Sequence, residues 1–151
     1  MISFSGFVAN LNINFGRTIS DRKISFGESD KKLAWKIYIE LVTRVALQPL
    51  SNDEGDEKAA LSSLHQFFTI TRELMREEGP EAIEATRLGI FVLNEVIRPF
   101  TGKWHKISQT QGFDHTNKDV FRAELKELQK SLKGYASSLM ELLEIKDGLE
   151  F

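Results

Sequence analysis

Arginine, lysine, tryptophan and histidine fall together at Arg98, Lys103, Trp104 and His105, with Lys106 directly after them. An imidazole titrates near neutral pH and so can move protons, while a guanidinium grips a phosphate or carboxylate through paired N–H donors. Six residues separate Arg98 from His105. In a catalytic arrangement His105 would move the proton of a ribose 2′-hydroxyl or leaving group, and Arg98 would stabilise charge on the phosphate, with no metal required. The same stretch also reads as a binding site. Arg98, Lys103, His105 and Lys106 would hold an anion such as a nucleotide phosphate, and Trp104 would stack on a base or anchor a partner protein. A structural use is open as well, with Trp104 plugging the end of a helical bundle and Arg98 capping carbonyls freed by Pro99. Pro99 and Gly102 argue that the segment is bent away from plain helix.

Other chemistry is sparse. The chain has no cysteine, which removes thiol and zinc-thiolate sites, and its three histidines, His65, His105 and His115, show no metal-ligand spacing. The acidic run Asp53, Glu54, Asp56 and Glu57 around Gly55 departs from a calcium-loop pattern and reads as a turn before a helix. No phosphate-cradling glycine loop, nucleophile elbow or dinucleotide fingerprint is present. The expectation is therefore no metal and no cofactor. Twenty basic against 22 acidic side chains give a net charge of -2, so there is no strong nucleic-acid signal. No apolar run reaches the ~20 residues of a membrane span, and the first fifteen residues lack the build of a signal peptide. The reading is a cytoplasmic protein.

The elements that must position Arg98 to His105 are mostly helical. With 151 residues, one domain with one core is expected. Phe7, Ala9, Leu11, Ile13 and Phe15 alternate with Asn10, Asn12 and Asn14 at the period of a strand. A second short run at Arg22 to Phe26 would pair with it as a hairpin within residues 1–27. From Asp30 the period becomes helical. Leu33, Ile37, Leu41 and Val45 mark a central first helix that Pro49 should end, and Glu40 and Arg44 stand at i and i+4 for an ion pair.

Helix two shows Ala60, Leu64, Phe67, Phe68, Thr71, Leu74 and Met75 on one face and closes at Gly79-Pro80. Helix three, with Ile83, Leu88, Ile90, Phe91, Leu93, Val96 and Ile97, should stop or kink at Arg98 before Pro99. A loop at 109–115 and a capping box at Thr116-Asn117-Lys118-Asp119 lead into helix four. There Phe121, Leu125, Leu128, Leu132, Tyr135, Leu139 and Leu142 form a heptad seam, with Gly148 as the expected end. The fold class is mainly α: an antiparallel four-helix bundle over residues 30–148 with a short N-terminal β-hairpin.

Leu33 to Leu50, Ala60 to Leu74 and Phe91 to His105 together resemble a set of uncharacterised bacterial proteins with an ELxTR and an RPxxxKWH segment. That resemblance implies a bacterial origin and a shared fold, with a link to bacterial immunity, and it carries no mechanism. The Arg98–His105 spacing also resembles the R-x4-6-H pattern of HEPN ribonucleases, small helical bundles whose site forms across a dimer. Against that likeness, Pro99 follows the arginine where a polar residue is common. The balance of the sequence favours a non-enzymatic module of a bacterial multi-component system, recognising a protein partner, a second copy or a small anionic ligand through Arg98–His105. A metal-independent ribonuclease using Arg98 and His105 is the alternative.

Overall fold

The computed structural model describes residues 2–3, 6, 23–44, 46, 50 and 56–145. Among these, α1 spans Glu28–Val42, α2 spans Asp56–Glu78 and α4 spans His115–Leu142. Between α2 and α4, the segments Ile83–Phe91, Val92–Ile97 and Arg98–Thr110 follow one another without a break and form a single rod, α3. Among the described residues no helix is long and apolar enough to cross a membrane.

Contacts between rods run in opposite chain order, as an up-and-down bundle requires. Lys36 of α1 meets Glu78 of α2, whereas Arg44, just past α1, meets Gln66 further back along α2. Between α2 and α3 the order is also reversed: Met75 lies against Gly89, Phe68 against Arg98 and His65 against His105. The shared core holds Leu33, Ile37, Tyr38 and Leu41 of α1 with Leu64 and Phe67 of α2, and all seven positions of the expected α4 seam are buried. That seam is spent inside the chain.

Several local expectations are corrected. The first helix ends at Val42, well before Pro49: the Thr43 N–H still donates to the Ile39 carbonyl at 3.2 Å, but the Arg44 N–H turns to the Leu41 carbonyl, three residues back, at 3.3 Å, while the Glu40–Arg44 pair forms at 2.7 Å. The cap of α4 is Asp114 and not Thr116. The Asp114 carboxylate accepts from the backbone N–H groups of Thr116 and Asn117, both at 2.9 Å, and the Asn117 side chain accepts from the Asp114 N–H in return. The α4 helix closes at Leu142, while Gly148 lies outside the described residues. So does the alternating run 7–15. A two-residue antiparallel ladder joins Ile2–Ser3 to Lys23–Ile24.

The largest departure is at Pro99, where the helix does not stop and the irregularity takes the form of a π turn. Val92–Ile97 is a π-helical turn, and the Arg98 N–H donates to the Leu93 carbonyl five residues back. Pro99 carries no N–H and would clash with the carbonyl four residues behind it in a regular α-helix, so the wider turn removes the conflict. It also sets the phase of the rod. Ala85 and Trp104 are nineteen positions apart, and at about 100° per residue an unbroken α-helix would turn them about 100° out of register. A π turn absorbs one extra residue, and both side chains face the core at 1% exposure.

Asp30, 4% exposed, links two helix starts: its carboxylate accepts from the Gly27 N–H at 3.0 Å and from the Ala85 N–H at 2.9 Å. Both donors belong to helix N-termini, where free N–H groups and the helix dipole favour a negative charge.

Two substitutions check this architecture. Leu132→Ala, at a position 1% exposed, should cost about 2–5 kcal/mol in denaturant unfolding; stability equal to the parent would place the α4 seam on the surface. Gly102 is helical and exposed, and an added Cβ would meet no atom within 4 Å. Gly102→Ala should therefore raise stability by about 0.5–1 kcal/mol, through helix propensity alone.

Candidate functional site

Because α3 continues to Thr110, the residues from Arg98 to Lys106 are distributed around a helix instead of gathered in a bent loop. Their chemistry divides by face. Trp104 and Lys103 serve the contact with α4. The Trp104 ring is 1% exposed, and its Nε1–H donates to Glu124 at 2.7 Å. Phe100, Phe113 and Phe121 surround it with centroids 5.1–6.4 Å away. It is the plug of this end of the bundle and is not available to stack on a base. Lys103 pairs with the same Glu124 and lies 5.1 Å over the indole, in a cleft that also holds Glu95 and Glu127. An anion there would meet three carboxylates, so Lys103 leaves the anion-binding set.

Arg98 and His105 face α2. Seven residues is close to two turns, so they share one side of α3, about 10 Å apart along its axis. The Arg98 guanidinium sits 5.2 Å from the centre of the Phe68 ring, and both Arg98 and His105 are exposed. The His105 ring meets the His65 ring edge-on, with centroids 5.4 Å apart. Lys106 is exposed, one position further round the helix.

Consecutive residues of α2 reach two different segments of the chain. His65 touches His105, and the Gln66 side chain accepts from Arg44 at 3.0 Å, itself bound to Glu40. The stretches around Glu40–Arg44 and Arg98–His105 are thus brought to one turn of α2. Burial, and then the neighbouring His105, hold the His65 imidazole below its ordinary pKa, since both oppose a positive charge there. Among the described residues no group of three His, Cys, Asp or Glu side chains converges on a metal site.

Further along the same seam, α2 and α3 enclose a groove of about 420 Å³. Arg72 and Arg76 of α2, one turn apart, face it together with Arg98 of α3. Phe68, Met75, Ile90 and Leu93 supply apolar walls, and Thr86 and Asn94 supply polar groups. Among the described residues none of the three arginines has a carboxylate partner within ion-pair distance. These three are exposed, whereas the charge that the molecule does bury is paired. Glu57, 2% exposed, takes Arg122 at 2.8 Å and Lys118 at 3.8 Å; burial pushes its carboxyl up, but these cations and hydrogen bonds outweigh that and hold it below the usual carboxylate range.

His65, Arg72 and Arg76 lie outside the segment singled out by sequence. They join it across a helix hairpin whose register no single-helix spacing reveals. The one legible signal is the pair of arginines at i and i+4. Comparison with protein families, curated proteins and solved structures finds no match for this chain.

The depressed His65 pKa has a sign that can be checked. The unfolded chain takes up the proton at the ordinary pKa near 6.5 while the folded chain resists it, so stability falls as pH drops below about 6.5. Melting curves at pH 7.5 and 5.5 should show a smaller loss for His65→Gln than for the parent. Equal losses would mean that the imidazole is indifferent to its surroundings.

Proposed function

We propose that this chain is a non-enzymatic binding module that takes an anionic ligand in the groove between α2 and α3. The observation that carries the reading is the convergence of Arg72, Arg76 and Arg98 on one concave surface, with no carboxylate within ion-pair distance of them among the described residues. Three like charges held together repel one another, and guanidiniums are well suited to bind the oxygens of phosphate or carboxylate through paired donors. Of the partners considered, an anion matches this surface best. The anchor that a protein partner would have used, Trp104, is spent inside the bundle. The likeness of Leu33 to Leu50 and Phe91 to His105 to the bacterial set supports a place in a bacterial multi-component system.

A metal-independent ribonuclease is the second reading, favoured by one specific observation. Arg98 and His105 share a helix face, and a second imidazole, His65, stands 5.4 Å from the first. Two imidazoles and a cation could divide base, acid and charge-stabilising roles in transfer of a ribose phosphodiester. Cleavage of mixed RNA in the presence of chelator, lost in both His105→Ala and Arg98→Ala, would replace the binding reading with this one.

For the binding reading the probe is pyrophosphate. At a hundredfold excess over its Kd it should stabilise the folded chain by about 2.7 kcal/mol, visible as a raised melting temperature. Arg98→Ala combined with Arg72→Ala should remove most of that gain, and added salt should weaken it. A melting temperature unmoved by pyrophosphate, or moved equally in the double variant, would refute an anion site here.

A further inference from the structure

The groove has a second half that a bare anion would not use. Met75, Ile90 and Leu93 form an aliphatic wall beside the arginines, and Ile90 is left 47% exposed. An apolar side chain standing in water beside a cationic cluster is what a ligand with both a flat apolar body and a charged tail would cover. Two polar groups lie along the same lining. The Thr86 hydroxyl is sealed beneath the lining, with no hydrogen-bond partner among the described residues. Asn94, exposed in the lining, offers a donor and an acceptor side by side. It belongs to the π turn, where Pro99, having no N–H, occupies the position that would close the next wide-turn bond onto it.

We infer that the ligand is an adenine nucleotide. Its phosphates lie on Arg72, Arg76 and Arg98, and its base lies on the wall of Met75, Ile90 and Leu93. The Asn94 amide matches the adjacent donor and acceptor of the adenine edge, a pairing that amide side chains make with two hydrogen bonds. The volume, about 420 Å³, falls within the ~300–1,000 Å³ of small-molecule sites. An acidic peptide fits less well, because each of its backbone N–H groups would need an acceptor, and the guanidiniums are donors alone, which leaves the exposed Asn94 side chain to serve them. This inference rests on the reading of the groove as an anion site, and the two can fail separately.

The experiment is calorimetric titration of the full chain with ADP, UDP, pyrophosphate, adenosine and a hexa-aspartate peptide. ADP should bind at least tenfold more tightly than pyrophosphate or adenosine. Ile90→Asn, a change at an exposed position, should bring ADP down to the pyrophosphate level without altering pyrophosphate binding. Asn94→Ala should erase the preference for ADP over UDP. Pyrophosphate binding as tightly as ADP, with Ile90→Asn affecting neither, would overturn the nucleotide while the anion site stands. Hexa-aspartate binding more tightly than ADP would overturn it in favour of a peptide. No binding by any phosphate-bearing probe would overturn both.

Discussion

The wide π turn of Val92–Ile97, which ends with the Arg98 N–H donating to the Leu93 carbonyl, governs how the second half of α3 is oriented. By closing a turn five residues wide, it makes room for a proline that an ordinary helix would reject and takes up the one residue by which the apolar pattern would otherwise slip. Downstream of it Trp104 points to the core, while Arg98 and His105 point to α2. Rotating that half by one residue would move the indole toward solvent and the two candidate functional groups away from their neighbours.

The two faces of α3 then have opposite duties. Toward α4, Phe100 and Trp104 lock into Phe113 and Phe121, with Glu124 satisfying both the indole N–H and Lys103. Aromatic burial of this kind, with its one polar atom paired, makes a stiff support. Toward α2, the same helix presents Arg98, which has no carboxylate partner among the described residues. At the other end, Asp30 ties the starts of α1 and α3 through two backbone donors, so the rod that carries Asn94 and Arg98 is held at both ends. A groove between elements fixed in this way keeps the backbone positions of Arg72, Arg76 and Arg98 around one lining without a ligand.

Much of this was legible residue by residue. The steps of four and three from Phe121 to Leu142 specified a buried seam because helical period and burial are directly linked. Glu40 and Arg44 met as their spacing required, and Gly79-Pro80 marked the turn between α2 and α3. The same logic misled at Pro99. A proline rule states what an α-helix does, and it is silent on a π turn placed to receive the ring. Reading Arg98 to Lys106 as one patch depended on that bend. In a continuous helix Trp104 and Lys103 fall on a different side from Arg98 and His105, so the five residues do not form one patch. His65, Arg72 and Arg76 enter only through the register of two rods, which depends on how whole helices pack and leaves no local mark in the sequence.

The continuity of α3 through Pro99 is the claim on which the seam, the groove and the buried indole all stand. Backbone 13Cα chemical shifts for residues 92–106, measured in solution, test it most directly. Uninterrupted helical shifts from Val92 to Lys106, with the Arg98 amide slow to exchange, are the expected result. Random-coil shifts between Arg98 and Lys103, with fast-exchanging amides there, would show that the helix ends at the proline and that the face shared by Arg98 and His105 does not exist.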